Sequence, residues 1–289
     1  MLKRSVGAAV LLMSLVLAVS LGVAACGNGG SEGLMKRELP DNATPEKIML
    51  EGLNATDEVK SLHFIYDYAV MVPPTAQQAY ATEVALNGEG DYDYESGNQK
   101  AIIAYPSYEA EWNYVLYDGI QYFQEAEGGP WYELPGGSSL SIPSISEITR
   151  NTADYMDNFQ KITRLEDEMV SERDCYHIAM VPNMDAILEN EQFLDMVKGD
   201  QEQPDDEALA ELEEIKEELK NANVTYEYWF DKETLVLRRM LTNVEIVEQV
   251  DEQTSPFTAK IIMEIAFPTY NEKVEVGKPE NSMMYKESP

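Results

Sequence analysis

The two cysteines of this chain sit in opposite settings, and only one has a chemical use. Cys175 lies in Asp174-Cys175-Tyr176-His177-Ile178-Ala179-Met180, whose alternation predicts a strand. Free cysteine is among the most buried residue types, so this thiol reads as a core residue and not a nucleophile. Cys26 closes Val23-Ala24-Ala25-Cys26, where small residues fit the narrow site of a processing peptidase and the thiol is placed to form a thioether. With Cys26 so used, no internal disulfide can form, and stability must come from the core. The two histidines, His63 and His177, fall on different predicted strands without a Cys or His at ligand spacing, so both read as structural. Asp91-Tyr92-Asp93-Tyr94-Glu95 begins like a calcium loop, but Gly97 falls one position late and Ile102 stands where the closing Glu belongs, which excludes an EF-hand. His-Glu-x-x-His, a phosphate-cradling glycine loop and Gly-x-Ser-x-Gly are all missing from the sequence. Carboxylates are too abundant for any pair to mark a glycosidase. The expectation is a protein that is not an enzyme and uses no cofactor and no metal.

The setting of Cys26 gives the thiol its meaning. Lys3 and Arg4 precede an uncharged apolar run from Val6 to Leu21, and the small residues follow. That order defines a secretory signal over residues 1–25. The site resembles the lipobox of bacterial lipoproteins, with Val23 in the place of the usual Leu. The resemblance implies that Cys26 receives diacylglyceryl and palmitate-type acyl chains and holds the chain on the extracytoplasmic face of the cell membrane. A membrane-spanning helix is the competing reading, since it needs roughly 20 apolar residues. Ala24-Ala25-Cys26 and the following Gly27-Asn28-Gly29-Gly30-Ser31 argue against it, because a Gly/Ser-rich segment is a flexible tether.

Loss of residues 1–25 leaves 264 of the 289 residues, enough for one large domain or two small ones. Hydrophobic residues make up 44%, so a sizeable core can form. The formal charge of −32 becomes −34 when Lys3 and Arg4 leave. So acidic a surface repels nucleic acid and anionic headgroups, which excludes DNA and RNA as partners. The charge serves solubility first; cation binding at an acidic patch is the alternative.

The elements follow from punctuation and period. Thr44-Pro45-Glu46 starts a helix: Thr44 caps, Pro45 takes the first helical position and Glu46 favours the positive end of the dipole. The helix runs to about Val59, with Ile48, Met49, Leu53 and Thr56 on one face. Leu62, Phe64, Tyr66, Tyr68 and Val70 alternate along a strand that Pro73-Pro74 ends. Further strands are expected at Tyr80–Tyr94, Gln99–Tyr105, Trp112–Tyr117, Ile120–Gln124 and Trp131–Leu134, with Asp118-Gly119 as a hairpin turn. Residues 135–144 read as a loop and Ile145–Phe159 as a helix. Lys161–Ser171 and Cys175–Val181 read as a hairpin, followed by helices at Met184–Val197 and Asp205–Asn221. The last of these carries eight acids and two lysines, and reads as a solvated cover or a partner site. Val224–Asp231, Leu235–Val250 and Phe257–Phe267 close the chain as strands. In the last, Phe257, Ala259, Ile261, Met263, Ile265 and Phe267 share a face. A long meander with one apolar face needs a cover, or it exposes a large sticky patch.

Three stretches carry a family resemblance. Tyr117-Asp118-Gly119-Ile120-Gln121-Tyr122 precedes Gly129-Pro130-Trp131-Tyr132; Tyr226-Glu227-Tyr228-Trp229-Phe230-Asp231-Lys232-Glu233-Thr234-Leu235-Val236-Leu237-Arg238 forms a second; Pro268-Thr269-Tyr270-Asn271-Glu272-Lys273-Val274 with Lys278-Pro279-Glu280 forms the third. In this order they resemble the lipoprotein-carrier superfamily that includes LolA and the mycobacterial LppX-type lipoproteins. The resemblance implies an α+β fold, an open antiparallel β half-barrel covered by α-helices, with an apolar cavity for acyl chains between sheet and helices. The acidic segment 204–220 is longer than the family pattern. No individual binding residue transfers, because such a cavity is a lining and not a motif. Seventeen tyrosines mostly mean sheet packing, but some aromatics, among them Tyr66, Trp112, Tyr114, Trp131 and Trp229, are candidates to line a cavity. The candidate lining is Phe64, Tyr66, Trp131, Ile261, Met263 and Ile265. The organisation expected is a signal peptide at 1–25, a tether at 26–43 and a lipid-binding domain at 44–289. The expected partners are the membrane through Cys26 and a lipid or other apolar ligand. The alternative is an envelope sensor or interaction module whose partner is another envelope protein.

Overall fold

The computed structural model describes residues 34–40, 42–73, 82–106, 109–134, 159–188, 216, 220, 222–248 and 257–285. The signal peptide, Cys26, the loop at 135–144, the helix expected over 145–158 and nearly all of the acidic helix lie outside the described residues; within the last, Lys216 and Lys220 are helical.

The first helix, α1 (Pro45–Asp57), forms as its punctuation dictates: the Thr44 hydroxyl accepts from the Lys47 N–H at 3.3 Å and Pro45 opens the helix. Then come β1 (Ser61–Val72), β2 (Thr82–Asp93), β3 (Asn98–Tyr105), β4 (Ala110–Tyr117), β5 (Ile120–Gln124) and β6 (Tyr132–Glu133). After them follow β7 (Phe159–Arg164), β8 (Glu168–Val170), β9 (Arg173–Pro182), the short α2 (Met184–Leu188), β10 (Asn223–Asp231), β11 (Leu237–Glu248), β12 (Phe257–Tyr270) and β13 (Met283–Met284). All the strands join one sheet in the order β13-β6-β5-β4-β3-β2-β1-β12-β11-β10-β9-β7, with β8 paired to β9. Every pairing is antiparallel except β6 with β13. The architecture is therefore a large open antiparallel sheet, and the described residues contain helices α1 and α2 besides the helical Lys216 and Lys220.

Most expected elements appear within a residue or two, and the differences have physical reasons. Phe159 opens β7 and does not end a helix; its ring packs edge-on against Tyr226 at 5.9 Å. The stretch 161–171 breaks into β7 and β8 around Arg164 and Asp167, whose side chains pair at 2.8 Å in the connection. Leu235 and Val236 belong to the turn before β11, where Leu235 takes a positive φ of 61°. Residues 34–43, expected as part of the tether, lie partly on the body: the Arg37 N–H donates to the Glu233 carbonyl at 2.8 Å, and Leu34 and Leu39 pack on the core.

The sheet has one core face, here called inner. Leu62, Phe64, Tyr92, Ala101, Ile103, Tyr114, Ile178, Met180, Tyr226, Tyr228, Phe230, Met240, Val244, Ile261, Ile265 and Phe267 meet there with α1. Glycine permits two close approaches on this face. A Cβ at Gly52 of α1 would fall 2.3 Å from the Phe230 ring, so that ring lies on bare helix backbone. In β2, Gly88 and Gly90 face inward beside Tyr66 and Phe64; a Cβ at either would strike the ring and also the β3 backbone, at 2.0 Å from the Ile102 carbonyl and 2.3 Å from that of Lys100. Such glycines mark a tight bend in a sheet.

Candidate functional site

The inner face divides into two parts. Against β9, β10 and β11 it is sealed by α1: Ile48, Met49 and Leu53 are fully buried there with Ile178, Met180, Phe230 and Leu237. The Thr56 hydroxyl locks the helix down, donating to the Gly52 carbonyl at 2.8 Å and accepting from the Leu237 N–H at 2.9 Å. Across β1 to β4 and β12 the burial is incomplete. Tyr66, Tyr68, Val70, Tyr105, Trp112, Leu116 and Met263 face inward but are only half-buried. The Tyr105 and Trp112 rings pack at a tilt of 52° with centroids 4.7 Å apart. Aromatic rings and a thioether, adaptable and with few fixed polar contacts, are the lining that suits a variable apolar guest.

The phenols in this region stay neutral. Burial, and then the neighbouring Tyr105, push the Tyr66 hydroxyl well above the ordinary tyrosine value; burial pushes Tyr68 up to about 12 and raises Tyr105 as well. Each therefore offers a hydroxyl donor and no charge at any ordinary pH.

The six candidate lining residues fall into three groups. Phe64, Ile261 and Ile265 are on the inner face but fully buried, so they form its floor. Tyr66 and Met263 are half-buried and available. Trp131 is not with the others: it precedes β6 at the far edge, where its carbonyl accepts from the Met283 N–H at 2.9 Å. The pleat gives the inward place to Tyr132, whose ring packs on Phe123 at 5.3 Å. Tyr68, Tyr105 and Trp112 complete the region. The alternation of Tyr68 with Tyr66 signals its face, and Trp112 was among the aromatic candidates; for Tyr105 the strand register had to be known.

The opposite face carries the titratable groups. His177 Nε2 pairs with Glu227 at 2.7 Å, and its ring stacks on Trp229 at 4.3 Å. The Trp229 indole N–H donates to Glu168 at 3.1 Å, and Arg239 lies over the indole at 4.4 Å. His63 Nδ1 pairs with Asp91 at 2.9 Å. Each histidine is held by a carboxylate, and no group of three metal-ligating side chains occurs among the described residues. Cys175 is fully buried; burial, and then the Asp231 charge, push its thiol up to about 12, which leaves no thiolate for nucleophilic work. No helix among the described residues is long and apolar enough to cross a membrane.

Two of the three family-like segments, the second and the third, meet in one structural clamp. Asp231 is 1% exposed; its Oδ1 accepts from the Glu233 and Thr234 N–H groups at 2.8 and 3.0 Å, and its Oδ2 accepts from Arg238 at 3.2 Å. Arg238 lies over the Tyr270 ring at 5.2 Å and donates to the Pro268 carbonyl. The Tyr270 hydroxyl donates to the Leu237 carbonyl, and Asn271 Oδ1 accepts from the Lys60 N–H at 2.8 Å. These residues hold strand ends together.

No protein-family model and no curated protein matches the chain. Among solved structures it is similar to the lipoprotein LppX of Mycobacterium tuberculosis, at 11% identity and a TM-score of 0.45 over 79% of this chain and 98% of that one. It is similar to LprF from Mycobacterium bovis at 12% identity and a TM-score of 0.44, over 81% and 96%. A LolA superfamily protein, NE2245 from Nitrosomonas europaea, matches at 10% identity and a TM-score of 0.27, over 78% and 93%. At this level the likeness concerns fold alone and decides nothing about a ligand.

Proposed function

We propose that this chain is a lipid-anchored protein of the extracytoplasmic face of the cell membrane that binds or carries a lipid or another apolar ligand on its inner sheet face. The observation that carries the reading is the half-buried floor of Tyr66, Tyr68, Tyr105, Trp112 and Met263 beside a fully sealed core. A domain that needed only a core would bury this strip under apolar side chains, because each CH2 removed from water is worth roughly 0.8 kcal/mol. The proposal includes no catalytic step and no cofactor.

Native mass spectrometry of the protein from residue 27 onward, purified from a bacterial host, should find co-purified lipid. The same protein should take up a fluorescent fatty acid or lipid. An empty protein that also refuses both probes would leave only a tethered domain. For the anchor, mass spectrometry of the protein extracted from membranes should find Cys26 as the first residue, carrying a diacylglyceryl thioether; a chain that keeps residues 1–25 would return them to the spanning-helix reading.

A further inference from the structure

The inner face is not uniformly apolar. The strand register places Tyr68, Met263, Thr242 and Tyr226 side by side in one row across β1, β12, β11 and β10. Thr242 is 2% exposed, and its hydroxyl oxygen is buried with no hydrogen-bond partner. A buried hydroxyl left unpaired costs free energy, and such a group calls for an explanation. Its neighbour Met263 is half-buried, and a thioether chain with three rotatable bonds can swing aside and uncover it. On the other side of Met263 stands the Tyr68 phenol, with Tyr66 and Tyr105 close by, all kept protonated by burial.

Resting on the carrier reading, we infer that Thr242 and Tyr68 form a hydroxyl belt that recognises the ester carbonyls of an uncharged acyl-ester lipid lying across Met263. Ester oxygens are acceptors only, and the belt supplies donors. An anionic headgroup is disfavoured by a chain of net charge −32. A bare hydrocarbon chain would leave the Thr242 hydroxyl unpaired. The carbonyls can belong to a glycerol ester or to the diacylglyceryl group of another lipoprotein, which share this chemistry.

The test uses the full-length protein in the membranes of a bacterial host, labelled with diazirine-bearing lipids in matched pairs: a diacylglycerol and its dialkyl ether, and a diacylated lipopeptide and its ether. The members of each pair differ by the carbonyls alone. At least one ester should label the protein about five-fold more than its ether, the size expected of one or two net hydrogen bonds. The better pair names the source. Thr242→Val with Tyr68→Phe should erase the preference by lowering ester labelling to the ether level, and should leave the thermal midpoint no lower, because Val removes an unpaired polar atom. Equal labelling by ester and ether in the unaltered protein, or a preference that survives both substitutions, overturns the belt while the carrier reading stands. If neither member of either pair labels the protein, the carrier reading itself falls and the belt with it.

Discussion

At the scale of single residues, this protein spends its polar chemistry on holding strands. Asp231 is the clearest case: one carboxylate closes the β10–β11 turn with one oxygen and pairs with buried Arg238 through the other. Asp231→Ala leaves the guanidinium buried and unpaired. The expected loss is about 3 kcal/mol or more, read as a lower urea midpoint; a change under about 1 kcal/mol would show the pair to be dispensable. Asp91 and Asp167 behave as a pH-dependent pair. Burial opposes the charge of each, but His63 and Lys100 around Asp91, and Arg164 and Lys232 around Asp167, outweigh it and hold both carboxyls below the ordinary range. A depressed folded value means that their stabilisation is complete above about pH 4 and is lost as pH falls through the folded values. Urea midpoints should therefore fall on acidification from about pH 5 to pH 3, and Asp91→Asn with Asp167→Asn should flatten that slope. A slope that the two substitutions leave unchanged assigns the acid loss to other groups.

At the scale of elements, the inner glycines of β2 decide the shape of the sheet. Gly88 and Gly90 let Tyr66 and Phe64 lie on the strand and let β3 come close. Gly88→Val should cost roughly 1–3 kcal/mol through overpacking, despite the better strand propensity of valine. Circular dichroism should show the same strand content with an earlier thermal transition; a stabilised variant would mean that the sheet does not bend there. The pair was legible in Asn87-Gly88-Glu89-Gly90, since two glycines at a spacing of two share a face, yet strand periodicity alone gave them no role. Helix α1, by contrast, was readable to its first residue, because its cap and its proline act within one turn. Asp118 and Gly119, at φ 50° and 77°, make the positive-φ hairpin turn that the dipeptide announces.

At the scale of the whole molecule, a formal charge of −32 on a chain built around one large sheet sets self-repulsion against burial. Raising salt from about 0.05 to 0.5 M shortens the screening length to a few ångströms, so the thermal midpoint should rise. A fall would show that exposed ion pairs such as Lys100–Asp91 and Arg239–Glu264 outweigh the net repulsion. The C-terminal segment also acts at this scale. From Asn271, which bonds to Ser61 at one end of β1, the chain reaches the opposite edge of the sheet, where β13 pairs with β6, and Lys278 lies over the buried Tyr122 ring on the way.

Local determinants were written in the order of residues: the cap at Thr44, the Asp-Gly turn and the two-residue alternation of β1 and β12. Each acts over a few positions, so the sequence alone determined them, and with them which side chains of a strand share a face. It did not determine which strands are neighbours, since any apolar strand can pair with any other until sterics and connections choose. That choice put Tyr68 beside Met263 and Thr242, sent Trp131 to the far edge in favour of Tyr132, and brought Asp231 and Arg238 against Tyr270. Burial of a side chain depends on everything packed around it, and that sum exists only in the folded chain.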